Sequence, residues 1–267
     1  METERINIVL ALDRNYVFPA AVSIYSLVKH TEHAAFITFF ILDIDVGEEG
    51  LQVLKHTAKP AELRVLKGFD SSIFSNATSK LPPSSWAKLW VIRLLPIDID
   101  RAIYLDCDIL VRGEIKLLWD TSLGSSLIGA VVDFGHPHGH PDLDELLQQH
   151  PDTVSSIART GEKWYYNAGV LVLNLRRLRF ERAHIEMPNM AARYEHLLPH
   201  MDQDVLNLWL WGHGGGAVCS LSYRWNAQGL GSYARFRIPE LFSSEHELVE
   251  LTTSADIVHF TGRVHPK

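Results

Sequence analysis

Short, nearly continuous apolar runs alternate with amphipathic stretches through the first two thirds of the chain. Ile6 to Leu12 (INIVLAL) and Phe36 to Leu42 (FITFFIL) show no polar face, the pattern of strands buried on both sides. Between them, Asp13 to Tyr16 reads as a polar turn, and Pro19 stands where it can open a helix running to about Lys29. An amphipathic stretch follows from Glu48 to His56, then a short strand over Leu63 to Leu66. Trp86, Leu89, Trp90 and Arg93 share one helical face, and Pro96 stops that helix. RAIYL then runs into Asp106, LIGAVV runs into Asp133, and AGVLVLNL spans Ala168 to Leu175. A later helix carries Asp202 to Trp211 and ends at Gly212. This alternation predicts an α/β fold, a mostly parallel sheet with helices on both faces. Ligands of such sheets bind beyond the carboxyl ends of the strands, where Asp13, Asp106 and Asp133 stand.

Composition narrows the class. At 267 residues, with 46% apolar and 21% charged residues, the chain can bury a large core and is not disordered. No repeat, low-complexity tract or linker divides it, so residues 1–267 are expected to form a single domain. A formal charge of -7 argues against nucleic-acid binding, which relies on Lys and Arg to neutralise phosphates. Two cysteines are too few for a disulfide scaffold or a four-cysteine zinc site. The longest apolar run, Ala34 to Leu42, is far short of the ~20 residues that span a bilayer. METERINIVL has neither a basic n-region nor a cleavage site, and a cytoplasmic location is expected.

Asp-x-Asp occurs five times, and the default for each copy is a solvated surface pair. Asp106 and Asp108 differ because AIYL precedes them and ILV follows. On an extended backbone, residues two apart point the same way, so both carboxylates would aim at one point. Their repulsion is relieved by a divalent cation, which suits a substrate diphosphate whose oxygens complete the coordination. The plain alternative is a strand ending in water at Asp106. His259, in ADIVHFTG, follows another short strand. Imidazole is a poor ligand for Mg²⁺ and a good one for Mn²⁺, so Asp106, Asp108 and His259 together favour manganese, with Mg²⁺ as the alternative.

With these residues placed, the sequence resembles the retaining glycosyltransferases of family 8, which have the GT-A fold, a Rossmann-like sheet. Five segments carry the resemblance in the family's order: NIVLALDRNY (Asn7 to Tyr16), RAIYLDCDILV, YYNAGVLVLNL (Tyr165 to Leu175), HMDQDVLN (His200 to Asn207) and HFTG (His259 to Gly262). The resemblance implies that Asp13, Asn15 and Tyr16 receive uridine. It implies that Asp106, Asp108 and His259 hold Mn²⁺, with Asp106 also near the ribose. Lys88 stands where relatives carry a basic residue beside the donor, and Asp133, Asn167, Asp202 and Gln203 would surround its sugar. Gly262 and His265 would meet the diphosphate. The activity implied is transfer of a hexose, glucose or galactose, from a UDP-sugar to a saccharide, glycolipid or glycoprotein acceptor with retention of configuration. A UDP-sugar-binding module without turnover is a second reading. A sugar nucleotidyltransferase is a third, which would want a glycine- and basic-rich loop that LALDRNYVFPA does not offer.

The chain departs from the family at its end. HFTGRVHPK places His265 where the family has a lysine and Lys267 in place of its tryptophan, so the sequence is expected to lack the C-terminal end of its domain. Other signals are weaker. His136, His138 and His140 alternate in GHPHGHPD; a zinc site is conceivable there, and a loop bordering the acceptor is the reading preferred. HGGG (His213 to Gly216) has no G-x-S-x-G elbow to accompany it, which excludes a serine hydrolase of that type. Trp209, Trp211 and Trp225 could line a sugar surface or fill the core.

Overall fold

A computed structural model describes residues 5–70, 72, 83–140, 143, 145, 148–149, 164–229 and 253–261. Among these, seven strands form the central sheet: β1 (Ile6–Leu12), β2 (Ile37–Asp43), β3 (Glu62–Leu66), β4 (Arg101–Leu105), β6 (Ile128–Val132), β7 (Tyr166–Asn174) and β8 (Val218–Ser220), in the order β3-β2-β1-β4-β7-β6-β8. β5 (Ile109–Val111), β9 (Ala227–Gln228) and β10 (Ile257–His259) make a second, three-stranded sheet in the order β5-β10-β9.

The period of two along each strand sorts its side chains into two cores. Ile8, Leu10, Phe39, Ile41, Ile103 and Val172 face one side. There α1 (Val17–Lys29), α2 (Glu48–Thr57) and α4 (Ile115–Trp119) cover them. Val9, Phe40, Leu42, Tyr104, Leu171 and Leu173 face the other side. A 3₁₀ segment (Pro83–Trp90), α3 (Val91–Leu94), α5 (Leu175–Phe180), α6 (Ala183–Tyr194) and α7 (Asp202–Trp211) pack there. Burial on both faces is why these strands read as unbroken apolar runs rather than alternating ones.

Four of the neighbouring pairs in the large sheet are parallel, and β7 runs antiparallel to both β4 and β6. β1, β4 and β6 therefore point the same way, and Asp13, Asp106 and Asp133 leave their carboxyl ends together. Because β7 is reversed, it brings its first residues, Tyr166 and Asn167, to that edge. An apolar run does not reveal strand direction, so the sequence pattern left this reversal unread.

Two local expectations are corrected. The Trp86 to Arg93 segment is mainly a 3₁₀ helix, with only Val91–Leu94 as α-helix; Trp86, Leu89 and Trp90 are buried and Arg93 is exposed. Asp106 and Asp108 do not share an extended strand; they sit in the bend between β4 and β5, where the chain passes from one sheet to the other. No helix among the described residues is long and apolar enough to cross a membrane.

Candidate active site

The bend at Asp106–Cys107–Asp108 converges its carboxylates by a different route from strand pleating. Cys107 is buried and its Sγ lies 3.6 Å from the Ala11 carbonyl, so the middle residue turns into the core. Asp106 N donates to the Gly169 carbonyl (2.8 Å) and Phe260 N donates to the Asp108 carbonyl (2.9 Å), which pins the bend to β7 on one side and to the end of β10 on the other. The flanking carboxylates are left facing the cleft. His259 joins them through the second sheet, where β10 pairs with β5 and sets His259 opposite Ile109.

His259 Nε2 stands 3.3 Å from Asp108 Oδ1 and 3.7 Å from Asp106 Oδ2. Its other nitrogen, Nδ1, is 3.0 Å from Asn226 Oδ1. Asn226 uses its amide nitrogen to donate to Asn167 Oδ1 (2.9 Å), so its oxygen faces the histidine and Nδ1 carries the proton. The lone pair of Nε2 then points at the two carboxylates. This is the tautomer of a metal-ligating imidazole whose far nitrogen is fixed by a hydrogen bond. One ligand atom from each of Asp106, Asp108 and His259 lies within 4.8 Å of the others. Two carboxylates with one imidazole fit Mn²⁺ better than Mg²⁺. Gly169 is required for this approach, because a Cβ there would collide with the His259 ring and crowd Asp106.

The network continues from Asn167. Its Nδ2 donates to Asp133 Oδ2 (3.0 Å), and Gln203 Nε2 donates to the same oxygen (3.1 Å). Asp133 Oδ1 accepts from the backbone nitrogens of Gly135 and His136, both at 2.9 Å. Gln203 Oε1 accepts from Ala168 N (3.0 Å), so both ends of its amide are engaged. Asp133, Asn167, Asn226 and His259 are all buried, and an unbonded polar group in such a place would cost about 1–3 kcal/mol.

Lys88 comes from the opposite layer. It donates to the Ala168 carbonyl (2.9 Å) and forms ion pairs with Asp106 (3.1 Å) and Asp202 (2.9 Å). Burial alone would lower its pKa, but Asp106 and Asp202 override this and hold the ammonium above the ordinary lysine range. Burial raises the Asp202 carboxyl, an effect that Lys88 only partly offsets. Tyr104, whose hydroxyl donates to Asp106 Oδ1 (3.0 Å), has its phenol pushed up by burial.

Asp202 and Gln203 open α7 behind a strained residue. Met201 holds φ 48 and ψ -115, a conformation that costs on the order of 1–3 kcal/mol outside glycine. Asp204 secures the kink by accepting from His200 N (2.6 Å) and from the Tyr165 hydroxyl (2.6 Å). It is fully buried, and that burial pushes its carboxyl up to about 6.

The expected site residues gather in two adjoining clefts. Asp13, Tyr16, Lys88, Asp106, Asp108 and Asp202 line one. Asp133, Asn167, Gln203 and His259 line the other and share Asp106 and Asp108 with the first. Asn15 is exposed outside both, its backbone nitrogen bonded to Asp13 Oδ1 (2.8 Å). Gly262 and His265 lie outside the described residues. Trp209 and Trp225 are buried in the two cores rather than exposed on a sugar surface. Sequence reasoning missed Asn226, Gln228, Tyr104 and Asp204. Asn226 and Gln228 alternate in RWNAQG, a weak hint of inward polar positions; Tyr104 and Asp204 adjoin noticed residues but looked like core and cap.

This architecture is that of the GT-A glycosyltransferases. The galactosyltransferase LgtC, solved with donor and acceptor sugar analogs, superposes with a TM-score of 0.68 over 96% of this chain and 87% of that one, at 23% identity. A profile of glycosyl transferase family 8 matches residues 7–266, and the chain belongs to that family. Lipopolysaccharide 1,2-glucosyltransferase of Escherichia coli is 26% identical over 273 residues, covering 99% of this chain and 73% of its own length. A Haemophilus influenzae relative is 24% identical over 209 residues, 77% of this chain and 59% of its own length. Family and relatives together support a glycosyltransferase.

Proposed function

We propose that the protein transfers a hexose, glucose or galactose, from a UDP-sugar to a saccharide, glycolipid or glycoprotein acceptor with retention of configuration. The observation that carries this reading is the aim of His259 Nε2 into the Asp106/Asp108 pair, in a cleft lined by Asp13 and Tyr16 on one side and by Asp133, Asn167 and Gln203 on the other. Asp106, Asp108 and His259 would hold Mn²⁺, which when bound neutralises negative charge on a departing diphosphate. Tyr16 offers a ring for the uracil, and Asp13 a carboxylate for its polar edge or for the ribose. Lys88, kept charged between Asp106 and Asp202, places a buried cation beside the donor.

The hydrogen bonds speak against a protein nucleophile. Double displacement needs a free carboxylate beneath the anomeric carbon. Both oxygens of Asp133 accept hydrogen bonds, Asp202 is paired with Lys88, and Gln203 is a neutral amide held at both ends. These residues are built to position the sugar. The leaving phosphate oxygen then takes the proton of the acceptor hydroxyl as that hydroxyl bonds to carbon on the same face. Several nucleotide sugars should be incubated with and without Mn²⁺ and the products read by NMR. An α-linked product from an α-linked donor is expected. A β-linked product would end the retaining reading, and Mn²⁺-dependent UDP binding with no turnover for any acceptor would favour the binding module.

A further inference from the structure

Beside the acidic cluster, the fold assembles a second set of metal-ligating groups. His136 and His140 lie on the turn that leaves β6, and His200 lies just before α7. Their ring centroids are 5.1 Å (His136–His140), 5.1 Å (His136–His200) and 5.4 Å (His140–His200) apart. One nitrogen from each lies within 4.8 Å of the other two. His138, between the two loop histidines in sequence, turns away and stacks on Trp164 with an interplanar angle of 26°. The grouping is therefore not the alternate-residue triad that the sequence suggests; it replaces His138 with His200, far along the chain.

The main chain of all three residues is anchored by hydrogen bonds. His136 N donates to Asp133 Oδ1 (2.9 Å), and the His136 carbonyl accepts from Gly139 N (3.0 Å), with Gly139 at φ +94 closing the turn. The His140 carbonyl accepts from Leu143 N (2.9 Å). His200 N donates to the buried Asp204 carboxylate, and His200 Nε2 is itself buried without a hydrogen-bond partner among the described residues. A buried imidazole nitrogen without a partner, on a ring packed beside two more imidazoles, is an arrangement that a cation can satisfy.

We propose that His136, His140 and His200 form a zinc site, distinct from the Asp106/Asp108/His259 cluster. Three neutral imidazoles suit Zn²⁺, whereas the hard carboxylates nearby suit Mn²⁺. Tetrahedral Zn–N bonds of about 2.0–2.1 Å set the ligand nitrogens about 3.4 Å apart, so binding draws the loop toward α7. Three protein ligands leave a fourth position for water or a ligand oxygen. His136 and His200 also line the cleft of Asp133 and Gln203, so that position opens onto the same cleft. Zinc would thus tie the loop after Asp133 to the helix start that carries Asp202 and Gln203.

The acidic cluster also has some affinity for Zn²⁺, so the test begins from Asp108→Ala. Calorimetric titration of that variant should find one Zn²⁺ bound. Adding His140→Ala or His200→Ala should weaken it by at least about 100-fold, more than loss of an outer-shell partner costs. Adding His138→Ala should leave it unchanged. Because His200→Ala could disturb α7, wild-type protein saturated with Mn²⁺ is also titrated with Co²⁺. The intense visible bands of tetrahedral cobalt are expected, and Zn²⁺ should displace them. Zn²⁺ affinity unmoved by the histidine variants, loss of all zinc binding in Asp108→Ala alone, or only weak octahedral cobalt bands would each overturn the proposal.

Discussion

On the Asp133 side of the Asp106–Asp108 bend, polar groups are buried and already bonded to one another; at the Asp13 end of the other cleft, Asn15 and Tyr16 are exposed. Asn226 is 0% exposed and His259 3%, and a continuous chain of hydrogen bonds links them through Asn167 and Asp133 to Gln203. Tyr16 is 45% exposed and Asn15 is exposed too, with Asp13 spending one oxygen on a local turn. The difference separates two ways of binding. If the Asp133 side takes the metal and sugar as proposed, it is preorganised, so little ordering remains for the ligand to drive. The Asp13 end, where the proposal places the nucleotide, is then a platform whose contacts form only when a base covers it. Damage to the first side should therefore reach metal affinity and folding, and damage to the second should reach nucleotide affinity alone.

The largest effect is expected where the two sides meet. Asp108→Ala removes a carboxylate that lines both clefts and faces His259 Nε2. Mn²⁺-dependent UDP affinity should fall by at least about 100-fold while circular dichroism and the melting profile stay native. Equal UDP affinity with and without Mn²⁺ in wild type, or unchanged Mn²⁺ dependence in folded Asp108→Ala, would remove the metal from this cluster.

Preorganisation also has a cost in stability, and Asp204 is where it can be measured. Burial raises its carboxyl from 3.8 to about 6 in the folded chain, against the hydrogen bonds from Tyr165 and His200 N that favour the anion. Between these values the folded state keeps a proton that the unfolded state has released. Its contribution to stability is thus complete below the unfolded value and is lost as pH rises through about 6. The two-unit gap corresponds to roughly 3 kcal/mol. Other ionisable groups lie nearby, Lys88 and Asp202 among them, so the informative quantity is the difference between wild type and Asp204→Asn. Urea unfolding of metal-free protein across this window should give a falling curve for wild type and a flatter one for the variant. Parallel curves would mean that Asp204 titrates normally and the buried side is not strained by it.

Asn226 tests the chain of bonds itself. Asn226→Ala leaves the His259 ring free to turn and Asn167 Oδ1 short of one donor. Loss of such an outer-shell partner should weaken Mn²⁺ binding by about 10- to 100-fold. Asn226→Asp keeps an acceptor for His259 Nδ1–H and should retain more affinity than the alanine variant. If both variants bind Mn²⁺ like wild type, His259 is not oriented through Asn226.

How much of this was legible in the sequence follows the same division. Strands buried on both faces announce themselves as apolar runs, and the acids at their carboxyl ends stand out against that background. Asp13, Asp106 and Asp133 could be picked because each ends such a run. The direction of β7 could not, since VLVL reads the same in either sense. Nor could the convergence of Asp106 and Asp108 through an inward-turned Cys107, which depends on bonds to Gly169 and Phe260 far away in sequence. Asn226 and His200 matter through contacts across three-dimensional space, with local surroundings that look like ordinary loop or helix-cap positions. Motifs report the groups that line the clefts, while their supporting groups are set by topology.

The smallest effect, and the sharpest test of the contrast, is expected at Tyr16. Its ring lines the Asp13 cleft at the end of a 3₁₀ turn (Arg14–Tyr16), and its half-exposed state means the folded chain gains little from it. An offset stack on a base contributes about 0.5–1.5 kcal/mol, so Tyr16→Ala should weaken UDP binding by roughly twofold to tenfold at saturating Mn²⁺. Tyr16→Phe should restore most of it, because the contact is made by the ring face. Mn²⁺ affinity in the absence of nucleotide and the melting temperature should both remain at wild-type values. Loss of Mn²⁺ affinity or of stability in Tyr16→Ala would show that the open side is coupled to the buried one, and the division between platform and preorganised network would fail at that residue.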